Sequence, residues 1–129
     1  MIGINGNALA PMVALIAICW LGIQENAWAA NQDCTQAVSS AEMLTCANQR
    51  YEAADAELNR IYQQLASQLP QQRRGQLKAA QKAWIVFRDQ NAAFVAGAAE
   101  GGTQYPILQV SELAEMTEQR TQQLQAHIQ

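Results

Sequence analysis

Two cysteines near the start of the polar part of the chain are predicted to form a disulfide. Cys34 and Cys46 follow an apolar N-terminal segment, and if that segment directs export they meet an oxidising compartment in which a disulfide persists. In the loop-entropy model, closing this short loop stabilises the fold by about 3 kcal/mol. The alternative is a pair of reactive thiols, which requires an electropositive microenvironment.

Four charged residues fall on or beside the apolar stripes of the helices predicted below: Asp55, Arg88, Asp89 and Arg120. An unpaired buried charge is very costly, so charges on an inner stripe usually have partners. We therefore predict a structural ion-pair network that joins the helices. The alternative is an acid–base pair for glycan or peptide hydrolysis. A guanidinium stays protonated, however, and the sequence contains no evident pair of carboxylates at a workable spacing.

Few other residues could support chemistry. His127 is the single histidine and lies close to the C-terminal end, where a general base is hard to position. With the cysteines paired, no soft metal site remains. Gly101-Gly102 is a weak phosphate-binding signal and is more typical of a turn that ends a helix. The sequence thus predicts no catalytic residue, no metal and no cofactor, and the protein is not expected to be an enzyme.

The first 29 residues have the pattern of a secretory signal peptide. Residues 12–21 are nearly all apolar, a stretch too short to cross a bilayer, and Ala27-Trp28-Ala29 matches the site that signal peptidase cuts. The alternative is a weakly anchored amphiphilic segment. Ile18 before Cys19 argues against attachment of a lipid there. We expect cleavage after Ala29 and a periplasmic or secreted protein without membrane insertion.

The segment that remains, residues 30–129, is the length of one domain. Only Glu25 among the charged residues precedes it, which leaves eight basic and ten acidic side chains. This balance argues against a nucleic-acid-binding protein, which would present a basic face.

A capping box predicts the start of the first helix. Ser39 and Glu42 stand at the Ser-x-x-Glu spacing in which each side chain satisfies a backbone donor of the other. Apolar residues then recur at intervals of mostly three and four, which predicts one long helix over about residues 40–68. Its stripe comprises Met43, Ala47, Tyr51, Ala54, Leu58, Ile61, Tyr62, Leu65 and Leu69.

Two further helices follow from the same periodicity. Pro70 ends the first helix and suits the first turn of a second that runs to about Ala98. Gly101-Gly102-Thr103 interrupts the chain, and Pro106 can open a third helix. The predicted inner stripe of the second helix is Leu77, Ala80, Trp84, Phe87, Asn91 and Phe94, and that of the third is Ile107, Val110, Leu113, Met116, Arg120, Leu124 and Ile128. The predicted fold is all-α, an up-down-up bundle of about three helices with one disulfide.

The aromatic residues of the second helix have two interpretations. Trp84 and Phe87 could anchor a protein partner, because aromatic residues dominate binding hot spots. On an apolar helical stripe such residues more often lie in the core, which is our prediction here. Exposed aromatic residues are more expected near Tyr105, in the glycine-rich connection.

Taken together, these residues resemble the LprI-type lysozyme inhibitors over about residues 33–124. The blocks that carry the resemblance are Cys34, Glu42-Met43, Cys46, Tyr51, residues 54–59 and Tyr62, then Leu77, residues 80–84, residues 87–89 and residues 101–103, and finally Leu113, Thr117-Glu118, Arg120-Thr121 and Leu124. The resemblance implies a small, secreted, helical, disulfide-bonded domain. The family's namesake is a mycobacterial envelope lipoprotein that inhibits lysozyme.

The chain departs from the family pattern at one pair of positions. The family commonly carries two further cysteines, and by spacing Ala92 and Glu112 occupy those positions here. The loss of both together leaves no stranded thiol. We expect the connection over residues 101–106 to be looser than in relatives that keep this pair.

The resemblance implies a binding protein, an inhibitor of lysozyme or of another cell-wall hydrolase that cleaves peptidoglycan. Such an inhibitor needs no catalytic residues, only a surface that fits a substrate cleft. The predicted partner-binding residues are Glu100, Gly101, Gly102, Thr103 and Tyr105, with Glu112 as a further acidic group that faces a basic enzyme. The alternative is a non-catalytic accessory module of the cell envelope, which binds a protein partner through Asp55, Asn59 and Gln63 of the first helix.

Overall fold

The computed structural model of the protein describes residues 34–128, which form three long α-helices. These are α1, Ser40–Gln68, α2, Gln71–Ala96, and α3, Gln104–Gln125. Short 3₁₀ turns precede α1 and follow α2, and the described residues contain no strand. The predicted all-α, three-helix fold is confirmed. The predicted signal peptide, residues 1–29, lies outside the described residues.

The start of α1 is held by the capping box and by the disulfide. The Ser39 Oγ accepts a hydrogen bond from the Glu42 N–H at 3.2 Å, and the Glu42 carboxylate accepts one from the Ser39 N–H at 3.0 Å. These hydrogen bonds to Ser39 lower the pKa of Glu42. The disulfide between Cys34 and Cys46 is present, with the two Cα atoms 5.7 Å apart. It ties the segment before α1 to the second turn of that helix.

Short connections make the helices antiparallel. Leu69 and Pro70 alone join α1 to α2, and Pro70 is the N-cap residue of α2. Helix α3 begins at Gln104, two residues before Pro106, which a first helical turn tolerates because its N–H groups have no intrahelical partner.

Helix α3 is the central helix of the bundle. It packs closely against both α1 and α2, whereas α1 and α2 approach each other much less closely. The contacts with α3 involve small side chains, because Ala92, Ala96 and Ala114 are completely buried. A cluster of larger residues fills the half of the bundle near the α1–α2 connection: Leu58, Ile61, Leu65 and Leu124, with Leu69, Leu77 and Trp84 packed against it.

The predicted inner face of α2 is wrong in one respect. Phe87 is 58% exposed, Phe94 is 81% exposed and Ala80 is exposed as well, although the apolar periodicity predicts all three on the inner face. The buried positions are Arg88, Ala92 and Ala96, which also repeat every four residues. The helix is rotated toward this line because two phenylalanines would hold α2 away from α3.

Candidate functional site

Arg88 on α2 is a buried guanidinium with two carboxylate partners. Its side chain is only 9% exposed. The Nε and Nη2 atoms lie 2.9 and 2.8 Å from Asp89 Oδ1, and Nη1 lies 3.9 Å from Asp55 Oδ1 on α1. Both carboxylates are about half-exposed, so the buried cation is neutralised by groups that keep most of their hydration.

The same guanidinium contacts side chains of all three helices. Its central carbon lies 5.5 Å from the ring centroid of Tyr51 and 5.2 Å from that of Trp84, which are cation–π distances. Its Nη1 donates to the hydroxyl of Thr117 on α3 at 3.5 Å. Arg88 therefore occupies the space that the wider separation of α1 and α2 leaves open. Because a guanidinium does not release its proton, Arg88 itself acts as a permanent cation that joins the three helices.

Arg120 lies apart from the Arg88 cluster, although we predicted from the sequence that it joins Asp55, Arg88 and Asp89 in one ion-pair network. Its Nε donates to the side-chain oxygen of Gln81 at 3.1 Å, and its Nη1 donates to that of Gln123, also at 3.1 Å. It shares only the ring of Trp84 with Arg88, at 5.8 Å. No ion pair with a carboxylate of the described residues compensates this half-buried cation, and its partial desolvation lowers the pKa of Arg120.

The connection between α2 and α3 is a defined β-turn over Ala99 to Gly102. Glu100 has φ −55° and ψ 134°, and Gly101 has φ 80°. The Gly102 N–H donates to the Ala99 carbonyl at 3.0 Å. These values are those of a type II turn, whose third position favours glycine because it requires a positive φ. At Gly102, an added Cβ would lie only 3.3 Å from the Ala99 oxygen.

The structure separates the five predicted partner-binding residues into two groups. Residues 100–103 are all exposed, whereas Tyr105 is half-buried in the first turn of α3. The Glu100 carboxylate has no hydrogen bond or ion pair with any described residue. The Tyr105 N–H donates to the Gly102 carbonyl at 3.3 Å, and Ile107 is buried beyond it. The turn is therefore exposed at its centre and anchored at both ends.

A hydrogen bond involves Glu112, one of the two positions at which the family resemblance implies a further cysteine pair. The Asn91 side-chain amide donates to the Glu112 carboxylate at 2.8 Å, and it also lies 3.4 Å from the sulfur of Met116. Ala92 is completely buried next to it. A polar contact thus links α2 to α3 here, and Glu112 uses one of its oxygens within the fold.

Phe94 is a surface residue that the sequence interpretation missed. It lies in the last turn of α2, directly before the connection, and is among the most exposed apolar residues of residues 34–128. Phe87 lies seven residues earlier on the same side of the helix. The signal available in the sequence was a second line, Arg88, Ala92 and Ala96, which competes with the phenylalanines for the inner face.

Comparison with known proteins identifies the family. The family model described as lysozyme inhibitor LprI matches residues 30–124. The chain belongs to the LprI lysozyme inhibitor family. The matched range includes the disulfide, the Arg88 cluster and the exposed turn, so the LprI domain accounts for all of α1 and α2 and nearly all of α3.

A relative extends the similarity beyond the LprI family model. The chain is 37% identical over 131 residues to an uncharacterized protein of Rhizobium meliloti (strain 1021), and the match covers 92% of this chain and 93% of that protein. No solved structure matches the chain. Within residues 34–128, none of the helices combines the length and the apolar character needed to cross a membrane.

Proposed function

We propose that this LprI family protein is an exported binding protein that inhibits a lysozyme or another peptidoglycan-cleaving enzyme. Its membership of a family described as lysozyme inhibitors supports this class of function. One observation supports our choice of the partner-binding surface. Phe94, 81% exposed, lies in the last turn of α2, and the short 3₁₀ turn Gly97–Ala99 leads from there to Glu100, whose exposed carboxylate has no partner within the described residues.

The turn has the properties that an inhibitory segment needs. Its backbone hydrogen bond and the two flanking helices hold one conformation, so little conformational entropy is lost when it enters a cleft. Phe94 offers an apolar anchor of the kind that dominates binding energy. Glu100 offers a negative charge that complements a basic enzyme and accelerates encounter. We infer that the contact is formed by Phe94 and residues 100–103.

Inhibition of this kind requires no reaction on the inhibitor itself. The buried cation that belongs to the family pattern, Arg88, is engaged with two carboxylates and two rings. We infer that this cluster maintains the shape of the bundle and that the protein acts by occupying a cleft. A periplasmic or secreted location accords with the proposed signal peptide, with the disulfide and with a peptidoglycan-cleaving partner.

The test is inhibition of lysozyme by the purified, oxidised protein. Clearance of a cell-wall suspension is followed with a c-type and a g-type enzyme in parallel. Phe94→Ala and Glu100→Gln are expected to raise the concentration needed for half-inhibition by about tenfold each. Both residues are exposed, so circular dichroism and melting temperature are expected to stay unchanged.

Two matched control variants test whether inhibition depends on the turn specifically or on any exposed phenylalanine or carboxylate. Phe87→Ala removes an exposed phenylalanine two helical turns from the connection, and Glu52→Gln removes an exposed carboxylate from α1. Both are expected to inhibit like the unchanged protein. Full inhibition by Phe94→Ala and Glu100→Gln would show that the surface is wrong. Failure to inhibit either enzyme would favour an accessory envelope module, which co-purification of an envelope partner would then identify.

A further inference from the structure

A cleft of about 660 Å³ opens at the end of the bundle where α1 passes into α2. It lies between the C-terminal parts of α1 and α3 and the first turns of α2, at the opposite end from the Glu100 turn. A volume of this size falls in the range of small-molecule sites. Nothing in the proposed inhibitory contact uses this cleft.

The floor of the cleft is aliphatic. Four leucines that belong to or pack against the core cluster line it: Leu65, Leu69, Leu77 and Leu124. They come from all three helices, so the apolar surface is continuous with the core and is held in place by it. Such a floor favours a ligand with a hydrocarbon part, because its burial releases water from both surfaces.

The ionisable groups that line the cleft are basic. Arg73, Arg120 and His127 are among its lining residues, and no aspartate or glutamate is. Arg120 is half-buried, and its side-chain hydrogen bonds within the described residues go only to the neutral amides of Gln81 and Gln123. Arg73 has no ion pair within the described residues. The cleft therefore carries positive charge that the fold does not neutralise.

The backbone of α2 adds to this positive potential. Its N-cap residue, Pro70, provides no side-chain hydrogen bond, and its first turn contains no acidic residue. Free N–H groups at a helix N-terminus carry partial positive charge. Arg73 and Arg74 add two positive side chains to the same end of the helix.

We propose that this cleft binds an amphiphilic anion, a molecule with a carboxylate or phosphate head group and an aliphatic chain. The head group pairs with the guanidinium groups of Arg120 and Arg73, and the chain lies over the four leucines. The opposite arrangement of charge, a cationic amphiphile, has no acidic partner at this site.

Dodecanoate and dodecyl phosphate are suitable probes. Calorimetric titration of the purified protein below the micelle concentration is expected to give one site for each. Acetate and inorganic phosphate supply the head groups alone, and dodecyltrimethylammonium supplies the chain with the opposite charge. These three are expected to bind at least about tenfold more weakly, because each lacks one of the two interactions.

Charge variants test the head-group site. Arg120→Gln and Arg73→Gln are each expected to weaken dodecanoate binding by about tenfold. The matched control is Arg74→Gln, which removes an exposed arginine from the neighbouring position outside the cleft lining. It is expected to bind dodecanoate like the unchanged protein. Arg73 is itself exposed, so its variant reports on binding even if Arg120→Gln alters the packing around Trp84.

Apolar variants test the chain site. Ala80 lines the cleft on the exposed side of α2, and Ala80→Phe is expected to fill it and abolish binding of both dodecyl anions. Ala79→Phe places the same ring one position away on the same exposed helix and is expected to leave binding unchanged. Equal loss from Arg73→Gln and Arg74→Gln, equal binding of the dodecyl cation, or undiminished binding to Ala80→Phe would each overturn the proposal.

Discussion

The carboxylate of Asp55 on α1 lies 3.9 Å from the guanidinium of Arg88 on α2. These two helices do not pack closely against each other. The long arginine side chain therefore bridges the space between their backbones. The guanidinium also donates to the Thr117 hydroxyl on α3 and lies within cation–π distance of the rings of Tyr51 and Trp84. Arg88 is thus both a packing group and an ionic partner, which explains how a charged residue occupies an inner helix face.

Replacement of Arg88 tests this double role. Arg88→Ala is expected to lower the free energy of unfolding by about 2–4 kcal/mol, because it removes a buried side chain and leaves the carboxylates of Asp55 and Asp89 without their cation. Arg88→Lys keeps the charge but loses the planar contacts with the rings, so an intermediate loss is expected. Urea denaturation measures both. Arg74→Ala is the exposed control, with a change within about 0.5 kcal/mol. Equal stability of Arg88→Ala and Arg74→Ala would contradict a structural role for the cluster.

The ion pair between Arg50 and Glu118 is expected to make the folding stability depend on pH in the acidic range. Arg50 on α1 donates two hydrogen bonds, of 2.7 and 2.6 Å, to the carboxylate of Glu118 on α3. These bonds lower the pKa of Glu118 in the folded protein. The unfolded chain therefore takes up a proton first as the pH falls, so this stabilisation is present above about pH 5 and is lost progressively below about pH 4.

The measurement is the urea midpoint between about pH 6 and pH 3. Glu118→Gln is expected to flatten its dependence on pH, because the replaced carboxylate no longer titrates. The effect is expected to be modest, since both side chains are more than a third exposed and solvent screens the pair. Glu52→Gln provides an exposed comparison without an ion pair. An unchanged slope in Glu118→Gln would mean that this pair contributes nothing to folding.

Reduction of the disulfide is expected to lower the melting temperature by several degrees. The bond between Cys34 and Cys46 closes a short loop, for which the chain-entropy model gives about 3 kcal/mol of stabilisation. Calorimetry of the oxidised and reduced protein measures the difference, and a double Cys→Ser variant excludes side effects of the reductant. If the two melting temperatures coincide, the bond restrains only the segment before α1 and not the bundle.

Substitution by alanine is expected to change the stability in opposite directions at Gly101 and Gly75. Gly101→Ala is expected to destabilise the protein by about 1 kcal/mol or more, because φ is 80° at this position of the turn. Gly75 lies inside α2, and an added Cβ there meets nothing within 4 Å. Gly75→Ala is expected to stabilise the protein by about 0.5–1 kcal/mol. Thermal unfolding of the two variants measures the signs, and a stabilising Gly101→Ala would contradict the type II turn.

The sequence by itself determined the three helices and both ends of α1, whereas the predicted end of α2 and start of α3 each differ from the structure by two residues. The Ser39–Glu42 capping box marked the start of α1, and Pro70 marked the short connection to α2. These are local effects, since a cap or a proline acts within one turn of its own position. The disulfide could also be predicted from the sequence, because Cys34 and Cys46 are the two cysteines beyond the proposed signal peptide.

Tertiary structure decided which face of α2 is buried. The helix offers two lines at helical spacing, one with Phe87 and Phe94 and one with Arg88 and Ala92. Apolar periodicity favours the phenylalanines, but the central helix α3 approaches α2 too closely for them. The line with Ala92 and Arg88 becomes the better inner face only when the three helices pack together. Steric fit and charge compensation depend on neighbouring residues that lie far apart in the sequence. The same rotation exposes Phe94 in the last turn of α2. Tertiary structure likewise decided that Arg120 lines the cleft with amide partners and without a carboxylate partner among the described residues.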